Sequence, residues 1–486
     1  MESLLRPGAS YYFVGIKGTG VCALAELMQR SMGITARGSD IAEVFYTDAI
    51  LKDLGIPYHE SFDPAHIEDN IDLVIYSAAY SPDSNAELAE ALRKSIPTAA
   101  YPQALGMYSA AFDSTGIAGV HGKTTTTAMC GCLMQSLEIP AQILVGSAVA
   151  NFNGKSTLVL GKKYFIAETC EYRKHFMEFR PKRIVLTAVE SDHQDFFPTY
   201  ESIRDAFIGY CRLLPPNGEL IYCADDPGAA EVAAAIEKEN RGIILIPYGF
   251  TAQGDFRIGS YRVKDDCAFF SIGVFPEELC LRIPGRHQAL NAAAAIALAS
   301  VLGKKEGHNW NEQRRGAVQK TLEEFRGSKR RMEIIGSAGG IIFMDDYGHH
   351  PTAIKTTLAG LKDFYPSRRL VVSFMSHTYT RTAALLNEFA ESLNAADVLF
   401  LHKIYASARE RFDGKIDGRA IYEKAVPLRG EKNGALFYAD EPMNAFEPLL
   451  NILKPGDIFL TMGAGNNWPL GVRLFEHFRS LDGVSR

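Results

Sequence analysis

The residues whose types and order could most directly do chemistry are Gly119, Val120, His121, Gly122, Lys123, Thr124 and Thr125. They stand between the apolar run TGIAG and the stretch TTTAMCGCLMQSL. Phosphate needs backbone N–H groups that approach closely, hence glycine; it favours a helix N-terminus, a lysine for charge and a hydroxyl for Mg2+. All four parts occur here in order, although Ile117 fills the first glycine position of the usual G-x-x-x-x-G-K-[ST] form. The competing reading is a glycine turn capped by threonines. The strand-before, helix-after context favours a nucleoside triphosphate. Mg2+ on a triphosphate needs further oxygen ligands. Glu168 ends the run YFIA, and Glu190, Asp192 and His193 follow RIVLTAV. Strand ends in a parallel sheet face one crevice, so these residues are candidate metal ligands.

A second glycine loop, Gly15, Lys17, Gly18, Thr19 and Gly20, follows YYFV, and Ser39 and Asp40 end the next run. Asp40 lies twenty residues after Gly20, which invites a dinucleotide reading with the acid on a ribose hydroxyl. The spacing is G-x-x-G-x-G rather than G-x-G-x-x-G, so the fingerprint is imperfect. Glycines at such a turn also serve packing alone. Further on, Asp345-Asp346-Tyr347-Gly348-His349-His350 and Ser376-His377-Thr378-Tyr379-Thr380-Arg381 each follow an apolar run. Two such clusters at neighbouring strand ends would share a site. Arg381 suits a carboxylate, with Glu388 as the competing partner, and His349 titrates in a range useful for accepting a proton.

These loops need elements to hold them. Apolar runs alternate with amphipathic stretches through the first hundred residues, from Thr115 to Ile246, and again beyond Arg331, as parallel sheets with crossover helices require. Residues 256–284 lose the helices and read as antiparallel strands. The expected fold is α/β in three domains: a Rossmann-like domain at 1–108, a central P-loop ATPase domain at 109–327 and a Rossmann-like domain at 328–486. Hydrophobic residues make up 47% and charged residues 22%, which excludes disorder and coiled coil. The net charge of −6 offers no basic coat for nucleic acid. No apolar run reaches the ~20 residues of a membrane span, and the first residues lack a signal-peptide pattern. Eight cysteines without a C-x-x-C pair make a disulfide framework or zinc site improbable. A cytoplasmic protein is expected.

The set GVHGKTTTT, AETCEYR, VESDHQDFF, GRHQALNAAAA, FRGSKRR, DDYGHHPT and SHTYTRT, in that order over nearly the whole chain, resembles the Mur ligases. The resemblance implies an ADP-forming enzyme of peptidoglycan precursor synthesis. It would join L-alanine to the carboxylate of UDP-N-acetylmuramate through an acyl phosphate, using ATP and Mg2+, as a monomer or homodimer. It also implies residue roles. Thr124, Glu168 and His193 match Mg2+ ligands, Asn291 an adenine contact, and Arg331 and Asp345 groups that reach ATP. Gly15 to Gly20, with Ser39, Asp40 and Ser77, would receive the UDP moiety, with Lys17, where glycine is usual, beside the diphosphate. His349, His350, His377 and Arg381 would serve alanine and the reacting carboxylate, with Thr378 where arginine is frequent. Lys123, Glu168, His193, His349 and Arg381 are the candidate catalytic residues. Alternatives are another member of the family, such as a murein-peptide ligase, or a non-catalytic nucleotide-binding relative.

Overall fold

Valine, isoleucine and aromatic residues crowd the expected strands. The computed structural model describes residues 6–406, 410, 412, 414, 416–430 and 435–484, and in it these runs build four sheets among the described residues. The chain divides into two compact units. One holds residues 1–190, 204–257 and 291–321; the other holds 191–203, 258–290 and 322–486.

The first unit contains two sheets. From edge to edge, the smaller runs Tyr58–His59, Thr35–Ser39, Ser10–Val14, Leu73–Tyr76 and Thr98–Ala100, all parallel. That order reverses between Ser10–Val14 and Leu73–Tyr76, and such a switch opens a crevice at the carboxyl ends of the two strands. The larger sheet runs Ile244–Tyr248, Glu219–Cys223, Arg183–Leu186, Asp113–Ala118, Tyr164–Glu168, Ala141–Val149 and Lys155–Val159. Only Lys155–Val159 is antiparallel to its neighbour. Helix Thr19–Met32 ties the two sheets together, because Ser31 donates to the buried Gln142 and Thr157 donates to Glu26; Tyr108, on helix Tyr101–Ala110, donates to Gln142 as well.

In the second unit, a six-stranded sheet runs Glu333–Ala338, Ile341–Asp346, Asp457–Met462, Arg369–Phe374, Val398–Leu401 and Leu436–Tyr438. Successive side chains on a strand point to opposite faces, and here both faces are apolar. Met344, Val372 and Leu460 enter one core while Phe343, Val371 and Phe459 enter the other. Helices therefore cover both sides. Asp457–Met462 lies between Ile341–Asp346 and Arg369–Phe374, so the two histidine-bearing clusters do not sit at neighbouring strand ends as expected; one strand separates them. Residues 258–281 form the expected antiparallel sheet. Its pairing brings Cys267 and Cys280 to a Cα separation of 6.1 Å, joined as a disulfide, within bonding range. This single bridge, beside six free cysteines, is not a disulfide framework. Among the described residues, no helix is long and apolar enough to cross a membrane.

Candidate active site

The larger sheet of the first unit positions the phosphate-loop residues. Strand Asp113–Ala118 ends at Gly119, whose φ is +136°; helix Lys123–Ser136 begins after Gly122, at φ +78°. A Cβ on Gly119 would lie 2.1 Å from Thr187 Oγ1, and one on Gly122 would lie 2.7 Å from Asn291 Oδ1. Glycine is required at both for conformation and for space. Val120 N bonds to Ala188 O at 2.8 Å, and the His121 ring meets the Glu190 carboxylate. Lys123 and Thr124 then open the helix, and its first amides and dipole favour an anion there.

Two acids answer these side chains. Glu168, the last residue of its strand, accepts from Thr124 Oγ1 at 3.1 Å and from Gly146 N at 2.9 Å. Glu171 is almost fully buried and lies 2.8 Å from Lys123 Nζ. Burial disfavours the charged lysine, but Glu171 and then Glu168 outweigh it and raise its pKa. Glu171 escaped the sequence reading; the lysine needed a counter-charge, and the second acid of AETCE was the signal. Asn291 is buried beside the loop and accepts from Thr126 Oγ1 at 3.2 Å. Thr125, between Thr124 and Thr126, is buried.

In the first glycine loop, Gly15 and Ser77 stand at adjoining strand ends, with a Cβ on Gly15 falling 2.9 Å from Ser77 Cβ. Thr19 Oγ1 accepts from Tyr46 OH at 3.0 Å, between Gly18 and Gly20. Asp40 accepts from Lys17 N at 2.7 Å and Ile41 N at 2.8 Å. The Lys17 ammonium is buried, 3.1 Å from Asp48, 3.0 Å from Glu60 and 3.0 Å from Glu43 O. Ser39 is buried and donates to Glu87, which makes it part of the domain interior. An adjoining cavity of about 180 Å³ runs from Gly20 and Tyr101 to Glu168, Cys170 and His175.

The second unit gathers the remaining candidates. Asp192 Oδ1 accepts from Arg381 Nε at 3.0 Å and Nη2 at 2.7 Å, and both residues are buried. Arg381 is therefore engaged by an acidic side chain, and that acid is Asp192 rather than Glu388. Burial alone would raise the Asp192 pKa, but the Arg381 guanidinium holds it well below the usual range. His193 itself has φ +53°, uncommon for a residue with a side chain. Arg381 Nη1 lies 3.3 Å from His377 Nδ1, and the His377 and His349 rings are 6.0 Å apart. Burial first, then Arg381, pushes the His349 pKa well down, so its imidazole is neutral. His350 caps helix Pro351–Phe364, its side chain accepting from Thr352 N. Arg331 lies over the Tyr347 ring at 5.0 Å. Asp345 is held by Arg330 Nε at 2.9 Å and Thr461 Oγ1 at 2.6 Å, two partners the sequence reading missed.

Three family models match the chain: Mur ligase family, catalytic domain, over residues 10–113; Mur ligase middle domain over 117–299; and Mur ligase, glutamate ligase domain, over 330–465. A UDP-N-acetylmuramate–L-alanine ligase of Treponema pallidum (strain Nichols) is 49% identical, covering 97% of each chain. One from Borreliella burgdorferi is 37% identical, covering 94% of this chain and 97% of the other. The solved UDP-N-acetylmuramate-alanine ligase of Thermotoga maritima superimposes with a TM-score of 0.74 at 24% identity, covering 97% of this chain and 99% of that one, a likeness of fold. On these matches, spanning three consecutive stretches and nearly the whole length, the chain belongs to the Mur ligase family.

Proposed function

We propose that this chain joins L-alanine to the lactyl carboxylate of UDP-N-acetylmuramate at the expense of ATP, in the cytoplasmic synthesis of peptidoglycan precursors. The observation that carries the reading is Lys123 and Thr124 at the mouth of a glycine-initiated helix, Thr124 answered by the strand-end Glu168 and Lys123 by Glu171 three residues beyond it. It stands beside near-full-length likeness to ligases with that activity. The domains divide near residues 108 and 327, with the UDP-sugar on the first, ATP on the second and alanine on the third.

The residues fit the chemistry as follows. A carboxylate oxygen of the sugar attacks the γ-phosphorus, an acyl phosphate forms and ADP leaves. Lys123 stabilises the charge that develops on the transferred group, and the amides of the loop hold the phosphates. The alanine amine then attacks the acyl carbon, phosphate departs, and the amine proton is lost to a nearby base, for which His349 is the candidate by position. Thr124 and Glu168 offer the hard oxygen donors that Mg2+ prefers, with His193 as a further ligand. Bound there, Mg2+ would neutralise phosphate charge.

The test is ADP release by the full chain with UDP-N-acetylmuramate and, in separate reactions, L-alanine, L-serine, glycine or an alanyl tripeptide. Turnover with L-alanine is expected. Turnover with the tripeptide alone would reassign the chain to a murein-peptide ligase, and none with any acceptor would make it a non-catalytic relative.

A further inference from the structure

Asp192, His193 and Arg381 all lie in the second unit. One atom organises the start of the segment that carries His193. Asp192 Oδ1 accepts from His193 N at 2.7 Å as well as from two nitrogens of Arg381. His193 O then accepts from Phe196 N at 2.8 Å and Phe197 N at 2.7 Å, which closes a turn around a left-handed histidine. Such a conformation persists in a residue with a side chain only where the surroundings impose it. Here the imposing group is Asp192, and Arg381 fixes Asp192. The single charge of Asp192 also neutralises Arg381, so a second carboxylate arriving there would meet a cation already paired.

We infer that Arg381 is a positioning residue that acts through Asp192 on the His193 turn, making that segment and helix Tyr379–Ala384 one mechanical body. This rests on His193 serving the metal, and it separates Arg381 from direct capture of the amino acid. Holding a ligand's orientation from behind is worth about ten- to a hundredfold in metal affinity at other sites.

The experiment uses the full chain with ADP and Mn2+ as a spin probe, comparing Asp192→Asn, Arg381→Met, their double variant and Arg381→Lys. Amide hydrogen exchange at Phe196 and Phe197 and the alanine KM are read alongside. The expected result is that both single variants weaken Mn2+ binding about tenfold or more and speed exchange at the two amides. The double variant should be no worse than either, and Arg381→Lys should recover part of the loss. A raised alanine KM in Arg381→Met, with unchanged exchange in both single variants, would overturn the proposal and return Arg381 to the carboxylate. If His193→Ala binds Mn2+ like the parent while both single variants still speed exchange, the coupling stands and the metal role of His193 falls.

Discussion

The first unit contains two loops written in the same local grammar, Gly15 to Gly20 and Gly119 to Thr125. Each follows a buried strand, opens a helix and carries a lysine. Their lysines meet different fates. Lys123 is the first residue of its helix and faces one buried acid, Glu171. Lys17 precedes its helix, and its ammonium is enclosed by Asp48, Glu60 and the Glu43 carbonyl, with the Tyr58 ring 5.1 Å away. The difference teaches that the same local pattern can set a lysine on the first turn of its helix or enclose it against the elements beside its loop. At Lys17 the charge is used to bind the loop to the elements beside it.

The largest expected effect lies on the Lys123 side of this contrast. Lys123→Ala should lower the rate of ADP release by about 10²–10³-fold, the scale for losing one preorganised donor to a developing anion. Its melting temperature should fall as well, because the buried Glu171 loses its cation, so the rate is read at a temperature where the variant is folded. Near-parent turnover would remove the distinction between the two lysines. Glu168→Gln comes next: it keeps the shape but removes an anionic ligand, so the Mg2+ needed for half-maximal rate should rise about ten- to a hundredfold. An unchanged Mg2+ requirement would exclude Glu168 from the metal.

The Lys17 side should show in stability before it shows in substrate binding. Lys17→Met strands Asp48 in a partly buried pocket, and breaking such a pair from one side costs about 3–5 kcal/mol when burial is complete. Because Glu60 is more than half exposed, the lower end of that range is expected. Chemical denaturation measures the loss. A KM for the UDP-sugar raised a hundredfold at parent stability would put the ammonium back on the diphosphate.

Much of this was legible in the sequence because strand, glycine and helix are neighbours along the chain. YFIAE and IIFMDD became strands Tyr164–Glu168 and Ile341–Asp346 without adjustment. What stayed hidden depends on distant residues. Glu60 is 43 positions from Lys17, and Asp192 is 189 positions from Arg381, so no local pattern announces either pair. The hairpin Ala141–Val149 with Lys155–Val159 also went unread, because AQILV is buried on both faces and carries no alternation. Asp457–Met462 enters between two earlier strands, and chain order gives no sign of that insertion.

The smallest effects divide the Lys17 cluster itself. Glu60 is 56% exposed, so Glu60→Gln should cost less than about 1 kcal/mol, as solvent-screened pairs do. Asp48 is only 21% exposed and also accepts from Tyr58 OH at 2.6 Å and Phe45 N at 2.6 Å. Burial works against its charge, but the bonds from Tyr58, Phe45 N and Lys17 prevail and lower its pKa. A carboxyl whose folded pKa lies below its unfolded one contributes stability above the unfolded value, and that contribution fades as pH falls through the folded value. Stability measured from neutral pH down through the carboxylate range should therefore keep this acid limb in Glu60→Gln and lose part of it in Asp48→Asn. If Glu60→Gln removed the limb and Asp48→Asn kept it, the exposed acid would be the true partner of Lys17. The lysine would then be held near the surface, and the contrast with Lys123 would narrow to one of position in the loop.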